Sequence, residues 1–275
     1  MNETNTPALA CDCHIHVYDM NRYPLPQANP VSPPHATWDS YVSMRSKLGL
    51  ARSVIVQATG YAFDNRCTLD ALAQAPEDTR AILTLPTDVQ DAELERYDSL
   101  GARGLRFMLV PGAPQAMRWE DLPIMAARIS SLGWNINLQL DGRDLAQHEA
   151  MLANLPCKLV IDHTGKFLEP VEDNHPGFLA LRRLLDSGNT WVKLSAPYET
   201  SRSGKPDFDD VGRLASILAR AYPQRCLWAS NWPHPTQQDR PDERNLLTLL
   251  EQWAGTRQNL EQILSLNPQD LYRFQ

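Results

Sequence analysis

The sequence holds no apolar run approaching the roughly 18 residues that a transmembrane helix requires. It also holds no dense cluster of Lys and Arg, no Cys-x-x-Cys pair, no internal repeat and no low-complexity segment. The first absence excludes a helical membrane span. Met1-Asn2-Glu3-Thr4-Asn5-Thr6 offers neither the basic region nor the apolar core of a signal peptide, so a cytoplasmic protein is expected. The missing basic face, with a formal net charge of −7, excludes a nucleic-acid partner, because phosphate contacts need concentrated positive charge. The cysteines, Cys11, Cys13, Cys67, Cys157 and Cys226, are odd in number and read as reduced thiols. All but Cys67 lie in or beside apolar stretches, where cysteine serves as a small hydrophobe.

With 43% hydrophobic and 21% charged residues, burial can offset chain ordering without metals or disulfides. Short β-branched runs alternate with amphipathic stretches, the pattern of a parallel sheet with helices packed outside. The runs are Ala8–Val17, Arg52–Gln57, Ala81–Leu85, Gly104–Leu109, Trp134–Leu140, Lys158–His163, Trp191–Ser195 and Arg225–Ser230. Helices are expected near Thr37–Leu48, Asn65–Gln74, Asp91–Leu100, Trp119–Leu132, Arg143–Leu155, His175–Ser187, Phe208–Tyr222 and Asp242–Trp253, with a last one over Leu260–Phe274. This alternation in 275 residues predicts an α/β fold, one (β/α)8 TIM barrel domain over residues 1–275, an architecture that needs about 250 residues. Tyr23–Pro34 carries Pro24, Pro26, Pro30, Pro33 and Pro34, so it is expected as an extended loop at the active-site end of the barrel.

In Asp12-Cys13-His14-Ile15-His16-Val17 a strand period of two puts Asp12, His14 and His16 on one face, which is expected to point into the barrel. Two imidazoles at the carboxyl end of a strand stand where this fold carries its chemistry. The sixth run ends in Asp162-His163-Thr164-Gly165-Lys166 and the eighth in Ser230-Asn231-Trp232-Pro233-His234, so three strand ends converge on one mouth. Asn135, Asn137, Gln139 and Asp141 share one parity in the fifth run, as do Lys193 and Ser195 in the seventh. A dry core would favour Val, Ile or Leu, so these side chains predict a hydrated or ligand-filled cavity, against the competing reading of a buried network that satisfies itself.

His14-x-His16, His163 and Ser230-Asn231-Trp232-Pro233-His234, in that order and at barrel spacing, resemble the amidohydrolase superfamily. The likeness runs from Asp12 to Asn267-Pro268-Gln269-Asp270-Leu271-Tyr272, and Tyr198-Glu199-Thr200-Ser201-Arg202 is similar to its lactone-isomerising branch. The resemblance implies that His14, His16, His163 and Asn231 are catalytic and that the partner is a small dicarboxylic lactone. Hydrolytic members carry an aspartate at the position of Asn231, where the carboxylate takes a proton from water; a neutral amide cannot. Isomerisation by intramolecular ester transfer is therefore implied, with the histidines polarising the carbonyl and shuttling protons while Asn231 donates a hydrogen bond. Hydrolysis of a cyclic ester is the alternative. Metal-dependent members add a lysine or glutamate from the fourth strand, a histidine from the fifth and the aspartate after the eighth, and none is present. No cofactor is expected; the alternative is one zinc on His14, His16 and His163. For the substrate carboxylate, Arg106 and Arg202 are the candidate cations, with Lys166 behind them. Gln57, Asn65, Gln139, Ser195, Tyr198 and His234 lie at or after strand ends, in position to contact the substrate.

Overall fold

The computed structural model describes residues 6–25 and 33–275. Its strands are β1 (Cys11–Ile15), β2 (Arg52–Val56), β3 (Thr79–Leu83), β4 (Ala102–Met108), β5 (Asn135–Gln139), β6 (Lys158–Ile161), β7 (Thr190–Leu194) and β8 (Cys226–Trp228). They pair in parallel in chain order. Backbone bonds from Asn231 N to His14 O at 3.0 Å and from His16 N to Trp232 O at 2.8 Å bring the ends of β8 and β1 together and close the (β/α)8 TIM barrel. The sequence runs extend one or two residues past the carboxyl ends of these strands, and those for β3 and β4 begin two residues late.

Helices α1 (Trp38–Leu48), α2 (Arg66–Ala73), α3 (Asp91–Leu100), α4 (Asp121–Ile129), α5 (Leu145–Ala153), α6 (Pro176–Asp186), α7 (Asp209–Ala221) and α8 (Glu243–Ala254) alternate with the strands. Each buries one stripe against the barrel; in α7 the stripe is Val211, Leu214, Ala215, Leu218 and Ala219, the i, i+3, i+4, i+7, i+8 pattern. Local chemistry sets the ends. Thr37 caps α1 by accepting from Ser40 N, and Gly49 closes it in a left-handed conformation at φ 71° that glycine adopts without strain. The expected last helix divides into α9 (Arg257–Glu261), a π-turn at Gln262–Leu266 and α10 (Asn267–Tyr272).

The end of α10 and the residues after it seal the amino-terminal floor of the barrel. Leu271, Tyr272 and Phe274 pack on Cys11, Cys13, Val54, Ile82, Val160 and Leu227. Arg52 donates to Gln275 O at 2.7 Å and Arg80 to Arg273 O at 3.1 Å, and both guanidinium groups lie over the Phe274 ring. With the floor filled, ligands reach the interior from the opposite, carboxyl-terminal mouth. All five cysteines are free and buried. No helix among the described residues is long and apolar enough to cross a membrane. Of the proline-rich loop, residues 26–32 lie outside the described residues; its flanks are joined where Tyr18 and Ala36 form an antiparallel bridge.

Strand β1 departs from simple alternation. Asp12 pairs with Ser53 but Ile15 with Ile55, so three steps on β1 match two on β2, a bulge. The extra residue turns Cys13 inward among Val54, Val56 and Leu227 and keeps His14 inside. Asp12, expected inside with the histidines, faces the helix layer instead. It accepts from Ser230 N at 2.9 Å, Ser230 Oγ at 2.6 Å and Tyr41 OH at 3.3 Å, clipping β1 to β8 at the seam. Burial raises its pKa to about 6 against these bonds.

Candidate active site

The mouth encloses a cavity of about 210 Å³ whose polar wall holds His16, His163, Arg106, Lys166, Glu199 and Asn231. Tyr18, Met108, Val110 and Pro114 form an apolar wall. Four of these residues were singled out for the three strand ends, and the barrel brings them together. His163, Lys166 and Asn231 have φ of 54°, 44° and 60°, left-handed backbone that non-glycine residues adopt only when surrounding structure holds it. At the loop after β6 the restraint is close packing: a Cβ on Gly142 would meet Gly165 O at 2.3 Å, and Gly142 N donates to Lys166 O.

The hydrogen bonds fix the protons on two histidines. Val56 O can only accept, so His16 Nδ1, 2.8 Å away, carries a hydrogen and leaves Nε2 as an acceptor. The Lys193 ammonium can only donate, so His14 Nδ1 at 3.1 Å is an acceptor and the His14 hydrogen sits on Nε2. The two Nε2 atoms lie 3.2 Å apart, and His14 donates to His16. Both rings are neutral near pH 7. Burial and then Lys193 hold His14 well below its ordinary pKa, while burial and then Arg106 lower His16 to about 3. His163 shares its Nδ1 with Ser195 Oγ at 2.9 Å, and burial lowers its pKa to about 4. Deeper still, Lys193 pairs with Asp162 at 3.1 Å, and Asn137 Nδ2 donates to the same carboxylate oxygen at 3.0 Å. Burial alone would raise Asp162, but the Lys193 ammonium outweighs it and keeps the carboxylate ionised.

This donor set fits a divalent cation poorly. Among the described residues His14, Asp162 and His163 bring possible ligand atoms within 4.8 Å of one another, yet the Lys193 ammonium already bridges His14 Nδ1 and Asp162 Oδ1, each at 3.1 Å. In the trio His14, His16 and His163, the proton on His14 Nε2 occupies the lone pair that a zinc ligand needs, and its lone pair on Nδ1 is held by Lys193.

Arg106 is buried, donates to Gln57 O at 2.6 Å and to Gln139 Oε1 at 3.0 Å, and leaves Nε without a partner. Lys166, in contrast, is paired with Glu199. Burial would raise the Glu199 carboxyl, but the Lys166 ammonium overrides it and holds the pKa at about 2. Asn231 Nδ2 donates to Glu199 Oε1 at 3.1 Å and to Tyr198 OH at 3.0 Å, so the atom left without a partner is Oδ1, an acceptor. The amide is thus turned opposite to the donor role expected of it.

Other candidates stand behind the cavity. Tyr198 OH meets His234 Nδ1 at 2.7 Å and His234 Nε2 meets Glu243 at 3.1 Å, so both buttress Asn231. Gln57 spends its side chain on Ala62 O, Asp64 O and Thr68 Oγ1, and Asn65 spends its own on Phe63 and Thr84 backbone; both tie down loops. Arg202 is exposed and paired with Glu169, away from the cavity. Sequence reasoning passed over Glu199. It lies in a turn at Pro197–Glu199, where no strand period reports on facing, and the signal was its place between Tyr198 and Arg202.

A closed barrel with two imidazoles, a buried arginine and a lysine–glutamate pair around a cavity at its carboxyl-terminal mouth, and a third imidazole behind them, defines the class, a TIM-barrel protein with an enzyme-like site. The amidohydrolase family model matches residues 11–274, and the chain belongs to that family. It is 31% identical to a 2-pyrone-4,6-dicarboxylate hydrolase of Comamonas testosteroni, over 97% of this chain and 90% of that one. It is 29% identical to a D-galactarolactone isomerase of Agrobacterium fabrum strain C58, over 98% and 92%. A solved apo structure from Agrobacterium tumefaciens superposes with a TM-score of 0.91 at 29% identity, covering 98% of this chain and 97% of that one.

Proposed function

We propose that this chain is a lactone isomerase of sugar-acid catabolism that converts D-galactaro-1,5-lactone to the 1,4-lactone by intramolecular ester transfer, without a metal. Asn231 carries the reading. An amide stands where the resemblance puts the water-activating aspartate of hydrolases, and both its N–H groups are engaged by Glu199 and Tyr198. It can accept a hydrogen bond from a substrate hydroxyl through Oδ1; it cannot take a proton from water.

Arg106 seats the free carboxylate of the lactone, since its guanidinium faces only neutral acceptors. A substrate hydroxyl oxygen then attacks the lactone carbonyl carbon and forms the new C–O bond. Its proton passes to neutral His163, whose Nδ1 is steadied by Ser195. The tetrahedral intermediate collapses by breaking the old bond to the ring oxygen, and the imidazolium returns the proton there. No water is consumed, and the product is the isomeric lactone. The apolar wall of Tyr18, Met108, Val110 and Pro114 limits competing water.

Hydrolysis is the second reading, favoured by the presence of one carboxylate, Glu199, at the cavity. Its pKa of about 2 in the grip of Lys166 makes it a weak base for water. Proton NMR of chelator-treated protein with D-galactaro-1,5-lactone, beside an enzyme-free control, tests the proposal. Faster appearance of the 1,4-lactone supports it; faster appearance of the open-chain diacid establishes hydrolysis instead.

A further inference from the structure

Among the described residues two cations line the cavity, and they differ in what faces them. Arg106 has only neutral acceptors, the Gln57 carbonyl and Gln139 Oε1, and an Nε with no partner. Lys166 faces a carboxylate, and both members of that pair are largely enclosed, with side chains 11% and 12% exposed. Glu199 is held in place from its other oxygen by Asn231. The imidazoles of His16 and His163 add no charge near pH 7, and the deeper Lys193 is matched by Asp162. The charged side chains lining the cavity therefore leave one positive charge uncompensated, that of Arg106.

We propose that Glu199 is the residue that sets substrate charge: by neutralising Lys166 it restricts the site to lactones bearing one carboxylate and excludes those bearing two. This rests on the reading of the cavity as a site for carboxylated lactones. A first carboxylate is seated by Arg106 in a low-dielectric wall. A second, reaching toward Lys166, meets the Glu199 carboxylate already there, and the like charges repel. Rejection therefore comes from a residue that need not touch the accepted substrate's carboxylate.

The test is calorimetric titration of the full chain with benzoate and with isophthalate, flat six-membered rings carrying one and two carboxylates. The wild type is expected to bind benzoate at least as tightly as isophthalate. Glu199→Gln frees Lys166 and should shift the preference toward isophthalate by about tenfold or more, the order of one charge-assisted hydrogen bond. Lys166→Met with Glu199→Gln should abolish that shift, and Lys166→Met alone should weaken both ligands. An unchanged ratio in Glu199→Gln, a gain that survives in the double variant, or no binding of either ligand to any of the proteins overturns the proposal. Lactone turnover by the wild type is measured separately. Its absence, with the charge preference intact, retires the reaction but not the role of Glu199.

Discussion

Asn231 Nδ2 lies 3.1 Å from Glu199 Oε1, so the only carboxylate among the described residues lining the cavity is bonded to the amide that stands where the resemblance puts the aspartate of hydrolytic members. The pairing is chemically exclusive. An amide can donate to Glu199, whereas a second carboxylate there would repel it.

Asn231→Asp therefore introduces two effects. A water-activating base appears, and release of open-chain acid from the lactone should rise by about a hundredfold, the lower range for a positioned general base. The new carboxylate also crowds Glu199, so one of the two acids should titrate well above its ordinary range. NMR product analysis reads the first effect and a pH titration of the variant the second. No increase in acid release would remove Asn231 from the account.

Arg106 and Arg202 should part company. Arg106→Ala removes the buried cation and is expected to raise KM about a hundredfold with a smaller change in kcat, as for a contact equally strong in ground and transition states. Arg202→Ala, exposed and paired with Glu169, should leave KM within about twofold. Steady-state kinetics on the lactone decides; equal effects would place both arginines at the substrate.

The proton positions on His14 and His16 are directly observable. Nitrogen-15 NMR should find the hydrogen on Nε2 of His14 and on Nδ1 of His16, as Lys193 and Val56 O require. The reverse tautomer on His14 would mean that Lys193 does not donate to it, and would free its Nε2 for a metal.

Stability should fall as the medium is acidified below neutrality. His16 and His163 have folded pKa values of about 3 and about 4, and His14 is shifted the same way. The unfolded chain takes up these protons near pH about 6.5. Full stability therefore holds above that value and is lost as pH drops toward the folded pKa values. Asp12 acts oppositely. Its folded pKa of about 6 exceeds the unfolded value, so its contribution is present at low pH and lost as pH rises through about 6. His16 and His163 against Asp12 leave the unfolded chain about one proton richer near pH 5.5, or roughly 1.4 kcal/mol lost per pH unit, and His14 adds to the loss in the same direction. Urea unfolding of chelator-treated protein at several pH values checks this; a flat profile would mean the imidazoles are solvated.

The barrel was legible in the sequence because its signal is repeated: apolar runs such as Val54–Val56 and Leu159–Ile161 alternate with amphipathic helices such as α7. His163 and Asn231 were legible because they follow such runs directly. Asp12 was misplaced because a bulge is one residue of register, invisible to a period-two count. Gln57 and Asn65 looked like ligand contacts because they follow β2, but loop backbone consumed their amides. Glu199 and the orientation of the Asn231 amide depend on partners far apart in sequence, so only the folded chain could reveal them.

The central claim is that the nucleophile is a hydroxyl of the substrate itself, and solvent labelling tests it most directly. The reaction is run in water enriched in oxygen-18, and the 1,4-lactone is examined by mass spectrometry at early time. The account predicts product with no label above the enzyme-free control, because no water oxygen enters the new ester. Incorporation of one oxygen-18 per turnover would show that the ring opens by hydrolysis before it closes again, and would contradict it.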